Sequence, residues 1–170
     1  MLRIANRMKN EITGVLGMSV QFVGDQHIAQ EVLFKMRQWD NAVAKMDIDA
    51  LTELCETDVN LFDVNSQVEG KDAYRTLWEK HCPYFLGQVR VQRKDITIHA
   101  DANLAFVHCQ SKVDSAEPQT SLNLPWCRTT MCFKKQDGKW RLVHQHISLA
   151  MKQQAELHQL NNTKKFKKNA

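Results

Sequence analysis

Trp126-Cys-Arg-Thr-Thr-Met-Cys-Phe133, Lys134-Lys-Gln-Asp-Gly138 and Lys139-Trp-Arg-Leu-Val-His-Gln-His-Ile-Ser-Leu149 run consecutively near the C-terminal end of the chain. The outer two runs are rich in β-formers, and Asp137-Gly138 between them is a strong hairpin signal. Strand side chains alternate between faces, so His144 and His146 share one face of the returning arm and Gln145 takes the other. What lies on each face decides what the protein can do.

Upstream, Val89 to His99 and Leu104 to Val113 read as two more strands, which makes a meander with the hairpin. Before them the period changes. Ile28, Val32, Met36, Trp39, Val43 and Met46 recur at steps of three and four, one face of a long amphipathic helix over 27–46. Asp47-Ile-Asp49 offers a cap for a short helix over Ala50 to Cys55. Val59 to Val64 reads as a strand, Gly70 ends the next loop, and Lys71 to His81 forms a third helix bearing Tyr74, Leu77 and Trp78, with Pro83 at its exit. Helices segregated against an antiparallel sheet define the α+β class. A long curved sheet around a helix makes a cone whose open end is a natural small-molecule site.

The 170 residues suit one domain, and 43% hydrophobic with 25% charged residues is ordinary for a globular protein. The net charge of +4 equals the four lysines at 164, 165, 167 and 168, so residues 151–170 read as a basic tail and no basic face marks nucleic-acid binding. The five cysteines lack C-x-x-C spacing, which favours free thiols in a reducing compartment and a cytoplasmic location. Val15 to Val23 faintly suggests a leader, but Glu11 stands just before it, Gln21 interrupts it and it is too short to span a bilayer. Residues 1–26 are therefore expected to be a loose N-terminal extension or an extra helix before a domain over 27–150, with no membrane partner.

Met46-Asp-Ile-Asp-Ala-Leu-Thr-Glu-Leu-Cys55, Leu61-Phe-Asp63, Glu69-Gly-Lys-Asp-Ala-Tyr74, Asp137-Gly-Lys-Trp140 and Val143-His-Gln-His146, in this order, resemble the NTF2-like superfamily. The likeness is to its SnoaL-like, ketosteroid-isomerase-related branch, and the association domain of calcium/calmodulin-dependent kinases is similar through the same segments. The resemblance covers about residues 27 to 150. It implies a cystatin-like cone of three helices on a curved antiparallel sheet. It leaves function open, because the fold hosts isomerases, dehydratases, hydrolases, transport factors and oligomerisation modules.

Parity then divides the strands. Val107, Cys109, Thr129, Met131, Val143, Gln145 and Ile147 form a mostly apolar set. Opposite them lie Phe106, His108, Gln110, Lys112, Trp126, Arg128, Leu142, His144 and His146. Burying that many ionisable groups beneath helices would cost several kcal/mol unless all were paired. The apolar set is expected to face the pocket, joined by Trp39, Phe62 and Trp78, whose blander reading is core packing. The resemblance implies that the convex set, with Phe106, His108, Trp126, Arg128, His144 and His146, packs against a second subunit in a homodimer.

His144-x-His146 has spacing that could share a zinc ion, but no motif fixes a third ligand, so polar interface residues are the reading and no metal or cofactor is expected. Cys109 has no basic group on its own face, which argues against an activated nucleophile. Gln145 stands where SnoaL-like relatives often carry glutamate, and glutamine cannot take a proton. The expected function is binding of a small hydrophobic or aromatic ligand. The alternatives are an isomerase, dehydratase or hydrolase using Asp63 as base with Tyr74 as hydrogen-bond donor, and an oligomerisation module without ligand.

Overall fold

Asp25 accepts the backbone N–H groups of His27 and Ile28 and starts helix α1, Gln26–Lys45; Met46 ends it in the left-handed region at φ 52°. Ala29, Val32, Met36, Trp39 and Val43 are its buried stripe, while Met46 serves as the cap and not as part of that face. Asp47 likewise caps the short helix α2, Ile48–Glu53, and helix α3 spans Lys71–His81. These features belong to a computed structural model of the protein that describes residues 11–14, 18–81, 89–116 and 124–150. The expected basic tail over 151–170 and Pro83 lie outside the described residues.

The strands are β1 (Glu11–Gly14), β2 (Met18–Gly24), β3 (Cys55–Phe62), β4 (Gln67–Glu69), β5 (Val89–Ala100), β6 (Leu104–Ser115), β7 (Cys127–Gln136) and β8 (Lys139–Ser148), ordered β1-β2-β5-β6-β7-β8-β3-β4 across one sheet. The expected meander is β5 to β8, all antiparallel, and Asp137 and Gly138, both at positive φ, close its last hairpin. The sheet as a whole is mixed, not antiparallel throughout: β2 runs parallel to β5, and β3 parallel to β8. Both pairs are joined by long helix-containing connections, which is what parallel pairing requires.

Residues 18–24 are strand, against the expectation of an extension or helix. Val20 and Phe22 alternate at period two and are buried, and Gly24 closes the strand at φ 92° with no room for a Cβ, which would sit 2.2 Å from the Ala100 carbonyl oxygen. Cys55 opens β3 and does not end α2.

Three irregularities interrupt the ladders of the sheet. Register shifts in β5 between Lys94 and Thr97, where Asp95 has φ 54°, in the β7–β8 pair between Cys132 and Phe133, and in the β3–β8 pair between Cys55 and Asn60. Phe133 pairs with Leu142 and Cys132 with His144, so Val143 is the extra residue. The strand's parity flips there: Trp140 and Leu142 are buried with Gln145, while Val143 is only half-buried. Leu142 therefore belongs to the core and not to the convex face, and Val143 leaves the pocket set.

Candidate functional site

Between the helices and the wide end of the curved sheet lies a cavity of about 500 Å³, within the range of roughly 300–1,000 Å³ common to small-molecule sites. Helix α1 contributes Trp39; α3 contributes Leu77, Trp78 and His81; the end of β3 and its turn contribute Leu61, Asp63 and Val64. The sheet adds Val91 and Arg93 from β5, Lys112 and Val113 from β6, and Gln145 and Ile147 from β8. Most of this lining is apolar, with a small number of polar groups.

The polar groups are held in a fixed order. The Trp39 indole Nε1–H donates to the Tyr74 hydroxyl at 3.1 Å, and that hydroxyl donates to Gln145 Oε1 at 3.2 Å. Indole nitrogen is a donor only, so the Tyr74 hydroxyl accepts from Trp39 and keeps its own proton for the Gln145 oxygen. The amide nitrogen is the side of Gln145 left for the cavity. Tyr74 is fully buried behind the wall, and burial pushes its hydroxyl pKa above the ordinary value; the indole N–H groups of Trp78 and Trp39 only partly offset this. It is a neutral donor and not a base. Trp78 packs edge-on to both Trp39 and Tyr74, with ring centroids 5.8 and 6.4 Å away. Its Nε1 is near enough to the Tyr74 hydroxyl to weigh on its proton affinity, yet it is buried and outside hydrogen-bond geometry to any described residue.

Arg93 is a buried cation in the cavity wall. Its guanidinium binds Asp40 through Nε and Nη2, the latter at 2.7 Å, donates to Cys109 Sγ at 3.3 Å and lies over the Trp39 ring at 5.5 Å. Burial alone would lower its pKa, but the charge and hydrogen bonds of Asp40 outweigh that and hold it above the ordinary value. Cys109 thus does have a basic neighbour, contrary to the sequence reading; it comes from β5, the next strand. Burial raises the Cys109 thiol pKa more than Arg93 lowers it, so the thiol stays protonated. Lys112, from the expected convex set, reaches the cavity and pairs with Asp114 at 2.8 Å.

Residues 32–152 match the SnoaL-like domain family. The chain belongs to the SnoaL-like family. A comparison with curated protein sequences finds no significant match. Among solved structures, an NTF2-like protein of unknown function from Pseudomonas putida KT2440 is similar with a TM-score of 0.67 and 24% identity, over 74% of this chain and 89% of that one. An NTF2-like protein with a cystatin-like fold from Novosphingobium aromaticivorans gives 0.65 at 18% identity, over 76% and 88%. A protein from Streptomyces avermitilis provisionally termed a dehydratase of the NTF2-like family gives 0.62 at 14%, over 72% and 96%. These likenesses establish an α+β, NTF2-like fold.

Within this SnoaL-like domain the residues expected to line a pocket divide into three groups. Trp39, Trp78, Gln145, Ile147 and Asp63 line the cavity; Asp63 is fixed by a turn in which its Oδ1 accepts from the Val64 N–H at 2.8 Å. Val107, Cys109, Thr129 and Met131 face inward as expected but do not reach it. At that end of the cone Val32, Met36 and Trp39 of α1 fill the space, and Val107, Met131 and Cys109 join them in one buried cluster. Thr129 bonds Ser111 at 2.6 Å. Phe62 is on the outside, 39% exposed, with His144 and His146 edge-on at 5.1 and 6.0 Å. The short strand β3 alternates there, so Leu61 points in and Phe62 out.

Phe106, His108 and His146 are exposed on the outer face and His144 is half-buried; Phe106 stacks on His99 at 4.4 Å. Trp126 sits under Lys94 Nζ at 4.3 Å, and Arg128 donates to the Leu149 carbonyl at 2.6 Å. No three His, Cys, Asp or Glu side chains among the described residues are grouped to hold a metal ion. No described helix is long and apolar enough to cross a membrane.

The sequence reading missed Arg93 and Asp40. Asp40 follows Trp39 on α1, and Arg93 alternates with Val89 and Val91 on the inner face of β5 before the bulge. A lone arginine in phase with two valines was the signal available.

Proposed function

We propose that this SnoaL-like protein binds a small, mostly hydrophobic ligand in the cavity of its cone. The observation that carries the reading is the Gln145 side chain, buried in the cavity wall and held by Tyr74 so that it can orient a polar group but not move a proton. Around it, Trp39, Trp78 and Ile147 offer the apolar surface that encloses a ring. Thermal-shift measurements with steroids, terpenoids and aromatic compounds test this: a saturable rise in Tm is expected from at least one class. No stabiliser in any class, with the fold intact, would leave the oligomerisation-module reading in its place.

A second reading, a dehydratase, isomerase or hydrolase, draws on Asp63, the carboxylate in the cavity lining. Asp63→Asn should then abolish turnover while the fold survives, and unchanged turnover eliminates that base. A homodimer through the outer face of β5 to β8 is part of the proposal, supported by the exposed rings of Phe62 and Phe106 among the histidines.

A further inference from the structure

Phe62 and Phe106, the two exposed rings on the outer face of the sheet, each sit against a pair of histidines. Phe106 stacks on His99 with centroids 4.4 Å apart and lies 6.4 Å from His108, and the two imidazoles are themselves 5.6 Å apart. Phe62 meets His144 and His146 edge-on at 5.1 and 6.0 Å. Four of the 7 histidines of the chain are thus gathered on one surface. The strand register puts them there. One row across the sheet runs Thr97, His108, Thr130, His146 and Phe62, and the row beside it runs His99, Phe106, Cys132, His144 and Asn60.

Neither row holds a lysine, arginine, aspartate or glutamate, although 25% of the chain is charged. Strand β2 faces the same band with Gln21 opposite Thr97 and Val23 opposite His99. Cys132 stays neutral, because burial raises its thiol pKa. Fixed charge begins at the margins. On one side are Lys94 over the Trp126 ring, Asp95 holding Gln110 Nε2 at 2.9 Å, and Arg128 on the Leu149 carbonyl. On the other, Lys134 pairs in register with Arg141, which lies 3.6 Å from Glu56. At the β3 edge, Asp58 precedes Asn60 by two residues, and Asn60 stands in register between Glu69 and His144.

A band without fixed charge has little to attract a charged macromolecule and suits a second copy of the same chain. In a two-fold interface each group meets its own kind, so the patch must be complementary to itself. A neutral imidazole meets that demand, because one ring nitrogen donates and the other accepts. A protonated imidazole donates from both, repels its own image and loses hydration on burial. Imidazole passes between these forms close to physiological pH.

We propose that this face is a proton-controlled self-association surface: two copies pair through it while His99, His108, His144 and His146 are neutral, and their protonation separates the pair. The proposal rests on the homodimer reading above and adds its regulation. The pair binds fewer protons than two separate chains, so association strengthens as pH rises and weakens as pH falls through the imidazole range. Each proton released on pairing changes Kd by about tenfold per pH unit.

Sedimentation velocity of the full chain in EDTA, between about pH 8 and about pH 5.5, tests it. Kd should rise by about a hundredfold toward the acid end with far-UV circular dichroism unchanged; dissociation that only accompanies unfolding overturns the proposal. His108→Gln with His146→Gln, at two exposed positions, keeps a donor and an acceptor at each site and removes the charge. This variant should remain dimeric at about pH 6, where the unsubstituted chain is mostly monomer. An unchanged pH dependence in the variant overturns the role of the histidines. Should the variant not fold, dilution calorimetry of the unsubstituted chain at about pH 6, in buffers of different ionisation enthalpy, counts the protons exchanged; equal heats in all buffers overturn the proposal. A dimer whose Kd is constant with pH removes this proposal alone, and a chain already monomeric at about pH 8 removes the homodimer reading with it.

Discussion

Asp40 is one-fifth exposed, but the guanidinium it holds is not, with only 1% of the Arg93 side chain reaching solvent. Asp40→Asn removes the charge and leaves Arg93 buried with no counter-ion. Because Asp40 itself is partly hydrated, the expected loss is at the low end of the range for a broken buried pair, about 3 kcal/mol in urea unfolding. Replacing both, Asp40→Leu with Arg93→Met, should cost less than Asp40→Asn alone, because no unpaired charge is left. If the single variant is neutral, the pair is idle. The Tyr74 hydroxyl gives a second case. Tyr74→Phe orphans the Trp39 N–H and one acceptor of Gln145, for an expected loss of about 1–3 kcal/mol. It should also free Gln145 to turn, so ligand affinity should fall along with stability; a loss of stability with affinity intact would show that Gln145 is held by packing alone.

At the level of elements, helix α1 is tied to the hairpin of β7 and β8 through one carboxylate. Glu31 Oε2 accepts from Lys135 Nζ and from Trp140 Nε1, each at 2.8 Å, and His27 lies 3.6 Å from its other oxygen. The hydrogen bond from Lys135, then that from Trp140, hold the Glu31 carboxyl below its ordinary value of 4.5. A carboxylate with a depressed folded-state pKa contributes stability that is present above the unfolded value and lost as pH falls through the folded one. Glu31→Gln should therefore lower the Tm at pH 7, with the gap to the unsubstituted protein closing as pH falls below about 4.5. A gap independent of pH would mean that the bonds to Trp140 and Lys135 need no charge. The hairpin itself was legible in the sequence because Asp137-Gly138 fixes its turn chemistry, and α1 because its stripe has a helical period. Strand β2 was not, because seven residues with two buried side chains give too short an alternation to outweigh the surrounding apolar run. The inward turn of Leu142 was hidden for another reason: a single extra residue at Val143 reverses parity, and no local composition announces a bulge.

At the scale of the whole molecule the same parity argument has more force, because errors on one strand are corrected by neighbours. His108, His144 and His146 were placed outward by the cost of burying charge, and three adjacent strands agree on it. The cavity was less legible: its narrow end is filled by α1, and Arg93 enters it from a strand whose bulge decides direction. The outer face then carries Phe106 at 41% exposure and Phe62 at 39%, each packed against histidines, on the broad side of the sheet. Apolar rings clustered on a sheet face are removed from water most simply by a second copy, whose symmetry brings the same patch to meet itself. Light scattering coupled to size exclusion should therefore give twice the 19.7 kDa chain mass. His146→Glu, which sets a carboxylate beside Phe62 in each copy and doubles the like charge across a two-fold axis, should shift the population toward monomer and more so at low salt, where repulsion is less screened. Its cavity lies on the far side of the sheet, so ligand affinity per chain should not change. An intact dimer with altered ligand binding would mean that His146 faces the cone after all, and a monomeric unsubstituted protein would end the case for this interface.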